Sequence, residues 1–407
     1  MRLLIYPLLA LVLASCTRTP HDHQSMEIEP EPGTFAYDRA FLKTYNDVLE
    51  LKTANGKSRV LIVGAYQGRV MTSTAKGDSG KSYGWINYAL IQSQTTRPQI
   101  NPYGGEDRFW LGPEGGQFAL YFKKGDPFDF EHWFTPPLID TEPFELVDAD
   151  STQAKFKRSA AITNYAGYTF QMEINRQVGI LEPEAIEREF GIYLGNLEAV
   201  GFQSLNSITN TGETDWAKGS GLPSIWILGM FNPSDQTVII VPHESSDNPE
   251  FVTDNYFGLI PPDRIIRSDT LLLLKGDGKY RCKVGIAPSI ARNITGSYDA
   301  GNHVLTLVKF DIDSSGDYVN SKWEHHKDPY KGDVLNSYND GPLQDGSQLG
   351  PFYELESSSP VRELKRGESL VHRHLTLHLE GPEAQLNQVA EKTLGLSLDQ
   401  IKTAFKP

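Results

Sequence analysis

The chain has 407 residues, with 38 Lys and Arg against 52 Asp and Glu, which gives a net charge of −14 at pH 7. This negative charge argues against nucleic acid or an anionic membrane surface as the main partner. Aromatic residues make up 11% and charged residues only 22%, with 36 Gly and 25 Pro. Such a composition is typical of an all-β extracellular protein and excludes a disordered or coiled-coil chain.

The N-terminal sequence MRLLIYPLLALVLASC has the pattern of a secretory signal. Arg2 precedes the apolar run Leu3–Leu13, which is too short to span a bilayer. The ending Leu-Ala-Ser-Cys resembles a bacterial lipobox, which implies cleavage before Cys16 and lipidation of that residue. An ordinary signal peptide with a chance cysteine is the alternative. We expect a membrane-anchored lipoprotein on the periplasmic or cell-surface face of a Gram-negative outer membrane, attached through its lipid alone.

This pattern divides the chain into three parts. Residues 1–15 are predicted to be a lipoprotein signal peptide, residues 16–33 a polar flexible tether, and residues 34–407 a single domain. If Cys16 is lipidated, Cys282 has no partner for an intrachain disulfide. The fold must then depend on its hydrophobic core, which a domain of this length can supply.

The predicted elements begin with an amphipathic helix over residues 37–52, ended by Asn55-Gly56. Short β-rich runs follow, separated by turn residues. They cover residues 59–75, 84–91, 117–124, 152–163, 168–178, 202–210, 224–231, 237–243, 269–286, 302–312 and 369–381. Many short strands without alternating helices predict an all-β fold, a large antiparallel β-sandwich or barrel.

The C-terminal sequence predicts helices again. Residues 382–394 carry apolar side chains in helical phase, and Gly395 is placed to cap the C-terminus of that helix. Ser397 and Gln400 form a capping-box pattern that opens a last helix to Phe405.

Residues 101–118 combine charged and aromatic side chains with five glycines. Arg108, Trp110 and Glu114 are candidate sugar contacts, because a guanidinium binds hydroxyl and carboxylate oxygens and an indole stacks on sugar CH groups. The alternative is a buried Arg–Asp pair that braces a loop. The glycines do not form a phosphate-binding loop, since GxxxxGK[ST] is absent.

Residues 322–346 are predicted to form a long polar loop, and such loops on β scaffolds often carry function. The candidate substrate contacts in this segment are Asn336, Tyr338, Asn339 and Asp340. A solvated loop without function is the alternative. Its adjacent histidines, His325 and His326, diverge in an extended chain, so no metal ion is assigned to them.

The sequence HRHLTLH places His372, His374, Thr376 and His378 on one face of a strand. His372 and His374 could form an i, i+2 metal-binding pair. A polar face against solvent or loops is favoured, so no metal site is predicted here either.

The sequence FYELESSSP places two carboxylates two residues apart, so Glu354 and Glu356 share one face of an extended chain. If they line a pocket, their repulsion raises one pKa and leaves a neutral acid beside a base. A solvated edge strand is the alternative, although Phe352, Tyr353 and Leu355 fit it poorly.

Several segments resemble the galactose mutarotase-like superfamily, which includes the aldose 1-epimerases. GAYQGRVMTST (64–74) is similar to its opening strands, and SLNSITNTGETDW (204–216) to its mid-chain strand that ends in Thr-Asn. FYELESSSP (352–360) followed by LKRGESL (364–370) resembles its late catalytic segment. The resemblance covers about residues 59–381 and is nearest to a group of bacterial lipoproteins of unknown function.

The resemblance implies a supersandwich, two large antiparallel sheets with the ligand on a concave face, and puts Glu356 at the position of the catalytic glutamate. In mutarotases this glutamate removes the proton of the anomeric hydroxyl and a histidine protonates the ring oxygen. The ring then opens and recloses on its other face.

This chain departs from the superfamily in its histidine motifs. Asn-His-x-Tyr-Phe-Asn is absent, because Thr-Asn is followed here by Thr-Gly-Glu, and the early Asn-His-Leu-His-Gly motif is missing too. The acid partner therefore cannot be carried over. His325, His326 and His243 are candidates by chemistry alone, and Glu354 could substitute.

We expect a lipid-anchored, extracytoplasmic carbohydrate-active protein with aldose 1-epimerase-like chemistry and Glu356 as general base on a mono- or oligosaccharide. A glycoside hydrolase or a polysaccharide lyase on the same scaffold is one alternative. For a hydrolase, carboxyl groups about 5–5.5 Å apart favour retention and about 6.5–9.5 Å favour inversion. A non-catalytic glycan-binding lipoprotein is the other alternative. No cofactor, metal ion or nucleic-acid partner is expected.

Overall fold

The computed structural model describes residues 30–406. The predicted signal peptide, Cys16 and nearly all of the predicted tether lie outside these residues. The helices are α1 Phe35–Tyr45, α2 Tyr88–Ser93, α3 Pro137–Asp140, α4 Pro183–Phe190, α5 Glu383–Leu394 and α6 Leu398–Thr403. The strands in the N-terminal half are β1 Val48–Lys52, β2 Arg59–Val63, β3 Arg69–Thr74, β4 Arg108–Gly112, β5 Glu145–Ala149, β6 Gln153–Thr163, β7 Thr169–Leu181 and β8 Glu198–Asn210. Those in the C-terminal half are β9 Ser224–Phe231, β10 Thr237–Pro242, β11 Val252–Thr253, β12 Ile265–Ser268, β13 Leu271–Lys275, β14 Cys282–Ile286, β15 Ile294–Asp299, β16 Val304–Phe310, β17 Leu335–Asn339, β18 Tyr353–Ser358 and β19 Ser369–Glu380.

The strands of residues 30–406 form three antiparallel sheets. A ten-stranded sheet has the order β12-β13-β10-β15-β16-β19-β8-β7-β6-β5, and a six-stranded sheet the order β11-β14-β17-β18-β9-β4. The small third sheet is β1-β2-β3. The predicted class, a large antiparallel β-sandwich with a short N-terminal helix and C-terminal helices, is confirmed.

The two large sheets pack face to face. Val308 of β16 and Leu355 of β18 belong to one buried apolar cluster between them. The Ser357 hydroxyl hydrogen-bonds to His372 Nε2 and His374 Nδ1 across the same interior, each at 2.8 Å. Helices α4, α5 and α6 cover the other face of the ten-stranded sheet, again through buried apolar side chains. The outer face of the six-stranded sheet is therefore left for the cavity described below.

The predicted helix over residues 37–52 is wrong in its second half. Helix α1 ends at Tyr45, and residues 48–52 form strand β1, which pairs with β2. Leu51 is buried opposite Val60 in this pair. Backbone pairing with β2 outweighs the helical spacing, because that spacing alone would leave β2 without a partner on this side.

Two predicted strands are absent from the structure. Within residues 84–91, Asn87 caps helix α2 instead, and its Oδ1 accepts a hydrogen bond from the Leu90 N–H at 3.1 Å. Residues 117–124 form turns, although their apolar side chains are buried: the Tyr121 hydroxyl donates to Leu111 O at 2.8 Å. Both segments are rich in apolar residues, and for this reason their sequences resemble those of strands.

Residues 322–346 are not one loop, because strand β17 forms within them, between β14 and β18 in the sheet. Its polar residues suggested a loop because one face of the strand lines a polar cavity. The expected solvent-facing position of His372 and His374 is also wrong: both lie buried between the sheets, where the Ser357 hydroxyl bonds one ring nitrogen of each.

The C-terminal helices are confirmed. Helix α5 ends at Gly395 in the left-handed conformation, and Ser397 and Gln400 form the predicted capping box of α6. Helix α6 ends at Thr403, two residues before the predicted end. Within residues 30–406, no helix combines the length and the apolar character that crossing a bilayer requires.

Candidate active site

One face of the six-stranded sheet gathers the polar side chains of four strands. Tyr338 of β17 lies opposite Lys283 of β14 on one side and Glu354 of β18 on the other. Asn336 lies opposite Glu356 in the neighbouring row. Because directly opposed residues of antiparallel strands share a face, these side chains project to the same side.

A cavity of about 590 Å³ lies on this face. This volume falls within the roughly 300–1,000 Å³ of small-molecule sites. Its walls combine aromatic side chains with carboxyl, amide and cationic groups. Lining residues used below are Trp110, Glu114, Trp133, Ser224, Trp226, Asn255, Tyr256, Arg281, Lys283, Trp323, Glu324, Asp333, Asn336, Tyr338 and Glu354.

The two glutamates of β18 differ in their access to the cavity. Glu354 is 6% exposed and lines it, whereas Glu356 is fully buried behind. Burial raises the pKa of Glu354 well above its ordinary value, and the charge of Glu356 raises it further. Glu354 is therefore the protonated member of the pair.

Both donors that contact Glu356 reach the same oxygen of its carboxylate. The Trp226 indole N–H donates to Oε2 at 2.9 Å, and the Lys283 ammonium contacts the same atom at 3.0 Å. Among the described residues, Oε1 has no hydrogen-bond partner. The pair thus combines a protonated carboxyl facing the cavity with a second, fully buried carboxyl that Lys283 and Trp226 contact.

Lys283 connects the charged groups of the site. Its ammonium lies 4.6 Å from the centre of the Trp226 ring and 5.6 Å from that of Tyr256. Burial lowers its pKa, but the charges of Glu356, Glu114 and Glu354 outweigh burial and raise the pKa overall. Lys283 therefore stays charged at neutral pH and balances the carboxyls around it.

Two further carboxyls of the wall are held by local donors. Burial raises the pKa of Glu114, which also accepts a hydrogen bond from Trp323. Burial likewise raises the pKa of Asp333, and the Tyr256 hydroxyl donates to its Oδ2 at 2.5 Å. Both shifts favour the neutral form and reduce the negative charge of the cavity.

Indole and hydroxyl groups at one end of the cavity are available to a ligand. The indole nitrogens of Trp110 and Trp133 and the hydroxyl of Ser224 are buried without a hydrogen-bond partner in the described part of the chain. Such donors beside flat aromatic faces suit a ligand with both CH surfaces and hydroxyl groups.

The structure brings most of the proposed substrate contacts to this cavity. Trp110, Glu114, Asn336 and Tyr338 line it. Asn339 points to the other side, where its Oδ1 accepts from Gly278 N–H and its amide donates to Tyr280 O. These contacts leave Asn339 away from any ligand in the cavity.

Asp340 and Arg108 support the cavity from behind. Asp340 accepts hydrogen bonds from the Tyr338 hydroxyl and from the Gly350 N–H. Arg108 is fully buried, pairs with Asp140 at 2.9 Å, and lies 3.9 Å from the centre of the Trp110 ring. Arg108 therefore matches the alternative given for residues 101–118, in which a buried Arg–Asp pair braces a loop.

The candidate histidines lie outside the cavity lining. His325 packs edge-on against Phe128 and Tyr165. His326 Nε2 is 3.0 Å from Lys322 O, and His243 Nδ1 is 2.9 Å from Glu244 O. The residues 30–406 also contain no group of three or more His, Cys, Asp or Glu side chains placed to hold a metal ion.

Sequence reasoning missed three members of the site: Lys283, Trp226 and Arg281. All three lie on or beside segments predicted as strands, but no role was assigned to them. A signal was present in RCKVG, where two cations alternate with buried Cys282 and Val284. Cations on one face of a buried strand need a polar cavity or an anionic partner.

Comparison with solved structures finds similar folds at low sequence identity. The Slr1438 protein from Synechocystis sp. PCC 6803 is 11% identical with a TM-score of 0.49, over 83% of this chain and 96% of that chain. A galactose mutarotase-like protein from Lactobacillus casei ATCC 334 is 10% identical with a TM-score of 0.46, over 82% and 100% of the two chains. A galactose mutarotase related enzyme from Lactobacillus acidophilus is 10% identical with a TM-score of 0.45, over 82% and 98%.

Among curated proteins, none matches this sequence. The model of a family of unknown function, DUF6786, matches residues 33–405 and thus nearly the whole chain. The chain belongs to this family.

Proposed function

We propose that the protein is a carbohydrate-active enzyme with aldose 1-epimerase-like chemistry, in which the Glu354–Glu356 pair moves the protons. The observation that carries the proposal is the pair itself, a carboxyl whose pKa burial raises and a second carboxyl in contact with Lys283, at an aromatic-lined cavity of about 590 Å³. Acid and base groups held together with separate pKa values are the requirement for proton transfer at neutral pH.

The proposed reaction needs one acid and one base. The anomeric hydroxyl loses its proton, the ring oxygen gains one, and the bond between C1 and the ring oxygen breaks. Reclosure on the other face of the aldehyde reverses both transfers and gives the other anomer. Glu354 faces the cavity and donates to the ring oxygen. Glu356, whose Oε1 has no hydrogen-bond partner among the described residues, is the base of the pair and takes up the proton of the anomeric hydroxyl.

The aromatic walls support a saccharide as the ligand. Trp110, Trp226 and Trp323 offer flat faces for sugar CH groups, while Asn336 and Tyr338 offer polar groups for hydroxyls. Phosphate-binding motifs are absent from the sequence, and the bulk charge of −14 disfavours nucleic acid.

Proton NMR of anomer exchange tests the proposal with a panel of aldoses and oligosaccharides. We expect accelerated exchange that falls roughly 100-fold or more in Glu354→Gln and Glu356→Gln, since general acid–base groups contribute at least that much. Glu324→Gln removes a carboxyl from the exposed rim of the same cavity and should retain the rate. New reducing ends or unsaturated products would instead indicate a hydrolase or a lyase. Binding without chemistry, unchanged in both variants, would indicate a glycan-binding protein.

We also propose that the protein is anchored outside the cytoplasm by a lipid on Cys16. The support is the N-terminal sequence, with its apolar run followed by Leu-Ala-Ser-Cys. In a Gram-negative host, Cys16→Ala should move the protein from the membrane fraction to the soluble fraction. Equal membrane retention of the variant would contradict the anchor.

A further inference from the structure

Arg281 is a cation of the cavity wall that forms no ion pair with the described residues. Its Nε is buried and has no hydrogen-bond partner within residues 30–406. Its guanidinium lies 4.0 Å from the centre of the Phe257 ring. By contrast, Arg108 pairs with Asp140 and Lys283 with Glu356.

The carboxyls on which the charge of Arg281 acts are Asp340 and Glu114. Asp340 accepts from the Tyr338 hydroxyl and from the Gly350 N–H, and burial raises the pKa of Glu114, which favours its neutral form. A partly desolvated guanidinium without an ion-pair partner costs folding free energy. Arg281 has no such partner within residues 30–406, although the chain carries a net charge of −14. An anionic group of the ligand would supply the missing charge.

Arg281 lies close to the residues of the proposed reaction. Arg281 lies two residues before Lys283, so their side chains share one face about 7 Å apart along the chain. Lys283 contacts Glu356 directly. Tyr338 of the neighbouring strand lies between Lys283 and Glu354, so an anion bound at Arg281 and a sugar ring over Tyr338 would occupy the same face as Glu354.

We infer that the ligand is an acidic saccharide of the uronic-acid class, whose carboxylate binds Arg281 while its ring faces Glu354. This inference rests on the proposed function. A carboxylate fits better than a phosphate, because the cavity offers one unpaired guanidinium, whose planar fork matches a carboxylate in two parallel hydrogen bonds.

Matched sugar pairs test this inference with the full-length protein. Galacturonate and galactose differ only at C6, as do glucuronate and glucose, and glucose 6-phosphate and inorganic sulfate probe anions of other geometry. Binding is measured by calorimetry and anomer exchange by proton NMR, for the wild type, Arg281→Gln and Arg281→Lys. Arg292→Gln is the control, since it removes the same charge from an exposed ion pair with Glu244 outside the cavity.

We expect the wild type to bind a uronate roughly tenfold or more tightly than its neutral partner, as charge-assisted hydrogen bonds provide. Arg281→Gln should abolish this preference without weakening the neutral sugar, Arg281→Lys should restore part of it, and Arg292→Gln should leave it intact. The salt dependence of uronate binding should fall in Arg281→Gln.

Other outcomes separate this inference from the proposed function. Equal exchange of uronates and neutral sugars would overturn the inference and keep the epimerase proposal. A preference for glucose 6-phosphate or for sulfate alone would overturn the carboxylate assignment. Tight uronate binding without anomer exchange would support the inference and overturn the epimerase. Absence of binding by every sugar would overturn both.

Discussion

At the residue level, the site depends on how buried charges are matched. Glu356 is fully buried and its Oε2 receives both Lys283 and Trp226. Glu354 lacks such donors and keeps its proton because burial and the charge of Glu356 both raise its pKa. Two chemically identical side chains two residues apart therefore have different surroundings, because the Lys283 ammonium contacts only Glu356.

Lys283→Met should destabilise the fold by about 3 kcal/mol, because it leaves the buried Glu356 carboxylate without its cation. Urea unfolding at pH 7.5 measures this change. Adding Glu356→Gln to Lys283→Met should recover part of the loss, since the uncompensated charge is then gone. Lys279→Met, which removes a cation from an exposed pair with Asp235, should leave stability nearly unchanged. A stable Lys283→Met protein would show that the ion pair has no structural role.

At the element level, the sequence predicted the strands whose apolar alternation is strong, and it failed where tertiary pairing decides. Strand β9 and helix α5 follow directly from their patterns. Strand β1 does not, because its residues also fit a helix and only the partner β2 selects the strand. Strand β17 was hidden for a different reason: Asn336 and Tyr338 are polar because they line the cavity, so alternation of apolar residues is lost.

The candidate site, like the strands, was predictable from local spacing but not where strand pairing decides. Spacing alone placed Glu354 and Glu356 on one face, and β18 confirms this arrangement. Neither spacing nor composition could join β18 to β14, because the register of strands 70 residues apart is set by the whole sheet. For this reason Lys283 and Arg281 could be recognised only in the folded chain.

At the level of the whole molecule, buried polar groups connect the two large sheets. Arg176 of β7 binds Asp107 at 2.6 Å and Asn206 at 2.7 Å, all three being buried. His378 Nε2 lies 2.9 Å from Glu106 Oε2, whose Oε1 accepts from the Ser73 N–H. Together with Ser357, His372 and His374, these groups fix how one sheet is placed over the other, because moving the sheets apart would leave buried polar groups without partners.

This polar interior makes the stability of the protein depend on pH. Burial lowers the pKa of His372 to about 3, with a further contribution from His374, and burial lowers that of His374 to about 4. Both histidines are therefore neutral in the folded protein, whereas unfolding returns them to a pKa of about 6.5. Below pH 6.5 the unfolded chain therefore binds more protons at these histidines than the folded chain does. Their contribution to the free energy of unfolding is complete above pH 6.5, and it is lost as the pH falls towards the folded-state pKa values of about 4 and about 3.

Between pH 6.5 and pH 5 each of the two histidines should reduce the free energy of unfolding by about 2 kcal/mol. His372→Gln removes one titrating group and keeps a polar side chain beside Ser357. Urea unfolding at pH 7.5 and at pH 5.0 should therefore give a smaller difference for His372→Gln than for the wild type, whatever the variant costs at pH 7.5. His132→Gln is the control, because His132 is exposed and paired only with Asp129 at the surface. If wild type and His372→Gln lose the same free energy between the two pH values, His372 does not contribute to the loss of stability in acid.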